Sequence, residues 1–164
     1  MVKEFNGRSF LTVDSKGRLF LPQGYRDLLG ENFVISLSED LKTPAFYTKE
    51  DWDKKSALLR RIPQTDRRAH GLLRMIFSAT FPEYNTDAQG RVLIPLALRQ
   101  LYGLNEGSEA VLAGVGSTLE IWNAAAFEAS MNALEGESAG EALDYIYDTY
   151  FSTGIDAGKG DGEA

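Results

Sequence analysis

The sequence predicts an α+β protein in which two tandem repeats interlock into one β-barrel with pseudo-two-fold symmetry and flanking helices. The segment DSKGRLFLPQGYR at residues 14–26 returns as DAQGRVLIPLALR at residues 87–99, with Asp, Gly, Arg, Pro and the final Arg in register. The strand after each Gly-Arg pair is apolar on both faces and therefore needs cover on both sides. Two interlocked units would give each other this cover.

The first unit is expected at residues 5–78. Two short apolar runs, residues 9–13 and 18–21, flank a four-residue connection in which Gly17 can take a positive φ, which is the pattern of a β-hairpin. Pro22 favours the start of a helix and Gly30 its end. The remaining apolar periodicity predicts strands at residues 33–37 and 45–48 and helices at residues 23–29, 50–61 and 66–77.

The second unit is expected at residues 79–135 and repeats this order. A strand at residues 91–94 leads into a helix at residues 96–102, which begins after Pro95 and ends before Gly103. Residues 110–115 and 118–122 form a predicted hairpin, and the helical spacing of Phe127, Met131 and Leu134 predicts a helix after it.

The remaining C-terminal residues, 136–164, read as a helix followed by a tail. The helix is predicted at residues 139–151, with Tyr147, Tyr150 and Phe151 on one side, where they would pack in the core or against another subunit. The last residues, GIDAGKGDGEA, are acidic and rich in Gly, which is typical of a disordered tail.

Composition excludes several classes of protein. The chain of 164 residues has no Cys, which excludes disulfides and thiolate chemistry and fits a cytoplasmic protein. No run approaches the about 18 apolar residues of a membrane helix, and the N-terminus lacks the apolar core of a signal peptide. The net charge of −7 divides into +4 for residues 1–75 and −11 for residues 76–164, so nucleic-acid binding would have to be local.

The repeated loop carries the best candidate site. Asp14 can accept hydrogen bonds from backbone N–H groups of the turn, and Gly17 can close it. Arg18 leaves the turn on the same side as Asp14, so the pair would fix a planar guanidinium fork suited to phosphate or guanine edges. In the first copy, Lys16 lies at the tip and Arg26 one helix further on; the matching set in the second copy is Asp87, Gln89, Gly90, Arg91 and Arg99. The other interpretation, a purely structural Asp–Arg brace, remains open at this point.

Other residue types suggest no enzyme. His70 is the single His, and without Cys or a nucleophile motif it predicts neither a catalytic triad nor a metal cluster; no cofactor is expected. A basic run is either a solvated helical face or a patch for DNA or for the acidic half of a neighbouring subunit; it comprises Arg60, Arg61, Arg67, Arg68 and Arg74.

The two loop copies resemble the paired Asp-x-x-x-Arg signature of the MraZ family, which is built from two tandem AbrB-like (SpoVT-AbrB) modules. Supporting phrases are Phe5-Asn6-Gly7, FSAT at residues 77–80 and GVGSTLEIW at residues 114–122. The resemblance implies a swapped-hairpin barrel and closed rings of several subunits. It also implies a transcription regulator that binds short direct repeats in double-stranded DNA upstream of the division and cell-wall gene cluster, at the nucleoid.

By motif match, Arg18 and Arg91 would face DNA, supported by Lys16 and Arg26, with Asp14, Gly17, Asp87 and Gly90 orienting the loops. The chain differs from the family pattern at Asn6, where a basic residue is usual, and at Gln89, where the second loop lacks a cation. The first loop is therefore expected to be the stronger DNA contact. The alternative function is an antitoxin-like interaction module whose C-terminal segment binds a protein partner.

Overall fold

A computed structural model describes residues 4–151 of the chain. Within them, residues 4–124 and residues 125–151 form two compact units. The described part contains no helix that is both long and apolar enough to cross a membrane.

The first unit contains eight β-strands in two antiparallel sheets. The larger sheet has six strands in the order β1-β7-β8-β4-β3-β5, and the smaller pairs β2 with β6. The strands are β1 Arg8–Thr12, β2 Arg18–Phe20, β3 Phe33–Leu37, β4 Pro44–Thr48, β5 Phe81–Tyr84, β6 Arg91–Leu93, β7 Glu109–Gly114 and β8 Thr118–Asn123. This confirms the α+β class and the predicted hairpin of β7 and β8, whose residues pair from Ala110↔Asn123 to Gly114↔Leu119.

The predicted hairpin of residues 9–13 and 18–21 is wrong. The turn between them closes, with the N–H of Gly17 donating to the carbonyl of Asp14 over 3.0 Å. The two strands then diverge: β1 pairs with β7, and β2 pairs with β6 of the other repeat. Leu19 of β2 lies directly opposite Val92, and both are buried, so burial of apolar residues against the second repeat determines the pairing.

The predicted closed barrel is not formed by backbone pairing among the described strands. Edge strands β1 and β5 are each paired on one side, so the larger sheet is open. The sequence pattern does not predict β5, which is suited to an edge because Pro82 has no N–H to donate to a further strand. Its register with β3 shifts between Phe33 and Ile35, and Glu83 takes a positive φ of 59°.

The helices follow the sequence closely. Those of the first unit are α1 Gln23–Leu29, α2 Lys49–Arg60, α3 Arg67–Ser78 and α4 Leu96–Leu101. Pro22 and Pro95 stand immediately before α1 and α4, where a missing N–H and a fixed φ favour helix initiation. Thr48 and Asp66 cap α2 and α3 by accepting from the N–H groups of Asp51 and Ala69, over 3.1 Å and 3.0 Å.

One continuous core joins both sheets. It contains the inward residues of the small ribbon, Leu19 and Val92, together with residues of the larger sheet such as Phe33, Phe46 and Ile121. Trp52 of α2 and Ile76 of α3 form a second cluster with Tyr47 on the other face of the sheet. The inner face of the ribbon formed by β2 and β6 thus packs on the core, and the outer face of the ribbon is open to solvent.

The second unit consists of helices. α5 spans Ala124–Asn132, α6 spans Glu137–Ile146, and a π-helical turn continues to Phe151. The sequence predicts a helix at residues 139–151, and α6 with this turn covers that range. Neither α6 nor the turn contains a buried residue. The predicted disordered tail, residues 154–164, lies outside the described residues.

Candidate nucleic-acid interface

The first loop is held by the carboxylate of Asp14. Its Oδ1 accepts hydrogen bonds from the backbone N–H groups of Lys16 and Arg18, over 2.9 Å and 2.8 Å. Its Oδ2 accepts from Nε of Arg18 over 2.8 Å. Both carboxylate oxygens are therefore used, and the guanidinium is fixed by its inner nitrogen, which leaves its terminal nitrogens directed away from Asp14.

The second loop reproduces this geometry. Oδ1 of Asp87 accepts from the N–H groups of Gln89 and Arg91 over 3.0 Å and 2.9 Å, and Oδ2 accepts from Nε of Arg91 over 2.9 Å. One contact is added: Nη2 of Arg91 donates to Oε1 of Gln89 over 3.0 Å. The second loop therefore lacks the cation of Lys16, and Gln89, which takes its place, also occupies one donor of the Arg91 guanidinium.

These contacts lower the pKa of both aspartates. Desolvation raises the pKa of Asp14, but the N–H groups of Arg18 and Lys16 and the Arg18 guanidinium together bring it below the usual value. For Asp87 the largest influence is the N–H of Arg91, which lowers the pKa against a smaller effect of desolvation. Both groups are thus anionic at neutral pH, which is the form that can accept all three hydrogen bonds.

Acid is expected to release the loops at a lower pH than that at which an unperturbed aspartate titrates. The pKa of each aspartate is lower in the folded protein than in the unfolded chain. The stabilisation of the loop by the ionised carboxylate is therefore complete above the unfolded-state pKa and is lost as the pH falls through the folded-state pKa. The nitrogen-bound proton signals of Nε in Arg18 and Arg91, followed by NMR against pH, report this. Asp14→Asn should shift the Arg18 signal at neutral pH and leave that of Arg91 in place, and equal changes in both would contradict the assignment.

Strands β2 and β6 bring the two arginines onto one surface. Arg18 lies opposite Leu93, and Phe20 lies opposite Arg91. Because side chains alternate along a strand and Leu19 and Val92 point into the core, these four residues share the outer face of the ribbon. The side chains of Arg18 and Arg91 are 25% and 32% exposed, and both line a cleft of about 380 Å³.

Each loop is supported by the other repeat. The N–H of Leu21 donates to the carbonyl of Gly90 over 2.8 Å, and the N–H of Ile94 donates to that of Gly17 over 3.1 Å. A Cβ at Gly17 would lie 2.3 Å from the guanidinium carbon of Arg99, and one at Gly90 would lie 2.8 Å from that of Arg26. The two glycines are therefore required for positive φ and also for the approach of an arginine from the opposite repeat.

The expected site residues divide into two groups in the structure. Lys16 is exposed at the tip of the first loop, and Arg18 and Arg91 lie on the ribbon face. Arg26 lies beside Phe20: its Nε donates to the carbonyl of Leu21 over 2.9 Å, and its guanidinium is 5.8 Å from the centre of the Phe20 ring. The structure thus brings Lys16, Arg18 and Arg91 to the surface and packs Arg26 against Gly90 of the second loop. The predicted contact of Arg26 with DNA stays a prediction.

Sequence reasoning matches Arg99 to Arg26 in the repeat but assigns it no role in the site. Arg99 is buried, its Nε donates to the carbonyl of Ile94 over 2.8 Å, and its Nη1 pairs with Glu106 over 2.7 Å. The signal for it is present, because Arg99 matches Arg26 in the repeat. In both copies Nε of the arginine donates to the carbonyl of the residue before the proline, which is Leu21 for Arg26 and Ile94 for Arg99. Of these two arginines, only Arg99 has an acidic partner among the described residues.

Comparison with known proteins identifies the family. Residues 76–144 match the family model described as "MraZ protein, putative antitoxin-like". A protein of Acetivibrio thermocellus named transcriptional regulator MraZ is 35% identical over 124 residues, which are 76% of this chain and 84% of that protein. The chain therefore belongs to the MraZ family.

Two further relatives carry the same name, transcriptional regulator MraZ. The protein of Desulfitobacterium hafniense is 37% identical over 121 residues, which cover 74% of this chain and 82% of the relative. The protein of Pelotomaculum thermopropionicum is 39% identical over 118 residues, which cover 72% and 79% of the two chains. The resemblance noted in the sequence is thus confirmed at the level of the family.

Proposed function

We propose that this protein is a transcriptional regulator that binds double-stranded DNA in a sequence-specific manner through the outer face of the β2–β6 ribbon. The observation that carries this proposal is the presence of two carboxylate-fixed arginines, Arg18 and Arg91, on one exposed face. The names of the relatives support the regulatory role.

The two-stranded architecture of the ribbon suits the major groove. A two-stranded β-ribbon fits that groove, and an arginine fork can pair with the O6 and N7 acceptors of guanine. Phe20 and Leu93, which are exposed between the arginines, offer apolar surface to the methyl group of thymine. The face therefore has both kinds of contact that distinguish base pairs.

The first loop is the stronger DNA contact in this proposal. Lys16 adds a cation at its tip, and in the described chain the terminal nitrogens of Arg18 have no hydrogen-bond partner. In the second loop Gln89 brings no charge and holds Nη2 of Arg91. Arg26 packs against Gly90 and would support the second loop.

The fold that we infer is the swapped-hairpin arrangement of two AbrB-like modules. The reciprocal contacts of Leu21 with Gly90 and of Ile94 with Gly17 support a pseudo-two-fold relation between the repeats. Several such chains in a closed ring would bind direct repeats upstream of the division and cell-wall gene cluster, at the nucleoid in the cytoplasm. Because the whole chain carries a charge of −7, avidity across repeats would supply affinity that one ribbon lacks.

The test is the double substitution Arg18→Ala and Arg91→Ala in a gel-shift assay with promoter DNA that contains the repeats. We expect a loss of at least about 30-fold in affinity, from about 1 kcal/mol for each lost base contact. The matched control is Lys49→Ala with Lys54→Ala, which removes the same charge from exposed positions on α2. Unchanged binding by the first variant, or an equal loss in the control, would contradict the proposal.

A second candidate function is an antitoxin-like module that binds a protein through its C-terminal segment. The description of the family model and the exposed apolar residues of α6 favour it. Deletion of residues 136–164 separates the two functions. The β2–β6 ribbon lies wholly outside the deleted segment, so the ribbon's own contacts with DNA should persist. Binding of a protein partner through the C-terminal segment should be lost.

A further inference from the structure

Helices α2 and α3 enclose a groove that none of the preceding functions uses. The cavity has a volume of about 490 Å³, with apolar walls formed by Leu59, Ile62, Leu73 and Phe77. Arg60 and Arg74 also line it.

The groove is strongly basic. Residues 58–78 contain five arginines and one acidic residue, Asp66, whose carboxylate caps α3. His70 lines the same cavity, and its Nδ1 is buried without a hydrogen-bond partner among the described residues. A ligand for this groove should therefore be apolar, carry negative charge and offer polar hydrogen-bonding groups.

The second unit of the chain has the complementary chemistry. Residues 125–151 contain no Lys or Arg, and α6 with its π-helical turn carries four acidic residues: Glu137, Glu141, Asp144 and Asp148. Large apolar residues on the same segment are about half exposed: Leu143, Tyr145, Ile146, Tyr150 and Phe151. A ten-residue helix that buries none of its side chains gains little stability by itself and requires a surface to pack against.

We propose that the segment of residues 137–151 of one copy occupies the α2–α3 groove of a second copy. The apolar side chains of the segment would cover Leu59, Leu73 and Phe77, and its carboxylates would meet the arginines at the rim. This is the binding of an amphipathic helix in a groove, with charge complementarity that selects the partner. The tyrosine hydroxyls would supply the polar groups for the His70 side of the cavity.

The contact joins two different surfaces of the chain. Such a heterologous interface leaves one free groove and one free segment at each step, so assembly continues until a ring closes or a filament grows. The inference rests on the self-assembly included in the proposed function and assigns its interface. It does not depend on the DNA-binding face, because the groove and the β2–β6 ribbon share no residue.

The experiment is a charge exchange in the full-length protein, read by native mass spectrometry. One variant carries Arg60→Glu and Arg74→Glu, and the other carries Glu141→Arg and Asp144→Arg. We expect each variant alone to fall from the assembled mass to the mass of one or two chains. An equimolar mixture should reassemble to a closed species of several chains, because every interface between alternating variants is either native or exchanged.

The control is Lys49→Glu with Lys54→Glu, which reverses the same number of charges on α2 at residues that do not line the groove. It should leave the mass unchanged, and circular dichroism should show that all variants are folded. An unchanged mass in either charge-exchange variant, or a loss of mass that mixing does not restore, would overturn the inference. So would a wild-type chain that is monomeric and cross-links the segment to its own groove.

Binding of the wild-type protein to promoter DNA that contains the direct repeats distinguishes this inference from the proposed function. If the wild-type protein assembles as described and does not bind this DNA, the proposed DNA-binding function fails while the interface stands. If this DNA is bound and charge exchange leaves the mass unchanged, the interface fails while the DNA-binding function stands.

Discussion

Replacement of Gly114 by Ala is expected to destabilise the folded protein by about 3 kcal/mol, at the upper end of the range for overpacking. A Cβ at this position would lie 2.4 Å from both the carbonyl carbon of Phe5 and the nitrogen of Asn6. These are backbone atoms, so no side-chain rotation can relieve the collision. The N-terminal segment would have to move away from β7.

That movement would affect the core directly. Phe5 is completely buried, and its N–H and carbonyl both pair with Gly116, over 2.7 Å and 3.0 Å. The N–H of Gly114 also donates to the carbonyl of Gly7 over 2.8 Å. Loss of this docking would therefore expose an aromatic core residue and free several backbone groups.

Urea unfolding measures the change in the free energy of unfolding for Gly114→Ala, with Gly24→Ala as the control. Gly24 lies in α1, and a Cβ there would have no neighbouring atom within 4 Å, so Ala should be neutral or stabilise by up to about 1 kcal/mol through helix propensity. Equal midpoints for the two variants would show that the N-terminal segment does not need this close approach.

The sequence is sufficient to predict features that depend on contacts between residues close together in the chain. The Asp-x-x-Gly-Arg loops are closed by contacts between residues two to four positions apart, as in Asp14 with Lys16 and Arg18. Such contacts follow from residue type and spacing alone. The same holds for α2 and α3, where the cap at Asp66 and the apolar periodicity are both local.

The errors concern contacts between residues distant in sequence. The loop at residues 14–17 has the form of a hairpin turn, but β2 pairs with β6 because Leu19 and Val92 are buried together. No local pattern specifies that choice. β5 is not predictable from its sequence because Pro82 and the positive φ of Glu83 interrupt the strand pattern, which is tolerated only at a sheet edge.

The role of Arg26 is also a long-range question. Its position one helix after Arg18 predicts a place among the DNA-binding cations. In the structure its guanidinium packs on Gly90 of the other repeat, and Arg99 packs on Gly17 in the same way. Spacing shows that the two arginines are equivalent, but only the tertiary structure shows that each belongs to the opposite loop.

Substitution of Arg99 by Ala is expected to destabilise the fold by about 2–3 kcal/mol and to weaken DNA binding through the first loop. The carbonyl of Ile94 would lose a charged donor while it remains buried, and the space over Gly17 would be left unfilled. Gly17 would then lose the group that packs against it, and the direction of Arg18 would be less strictly fixed. Thermal unfolding and DNA affinity measure the two effects.

A pair of double-mutant cycles on DNA affinity separates positioning from general damage. If Arg99 acts through the first loop, Arg99→Ala and Arg18→Ala should be non-additive by about 1 kcal/mol, since the second removes what the first misplaces. Arg99→Ala and Arg91→Ala should be additive. The matched cycles with Arg26→Ala should give the reverse pattern, because Arg26 packs on Gly90 of the second loop. Equal coupling of Arg99 to both surface arginines would mean that its loss disturbs the ribbon as a whole, and the crossed support of the two loops would then be refuted.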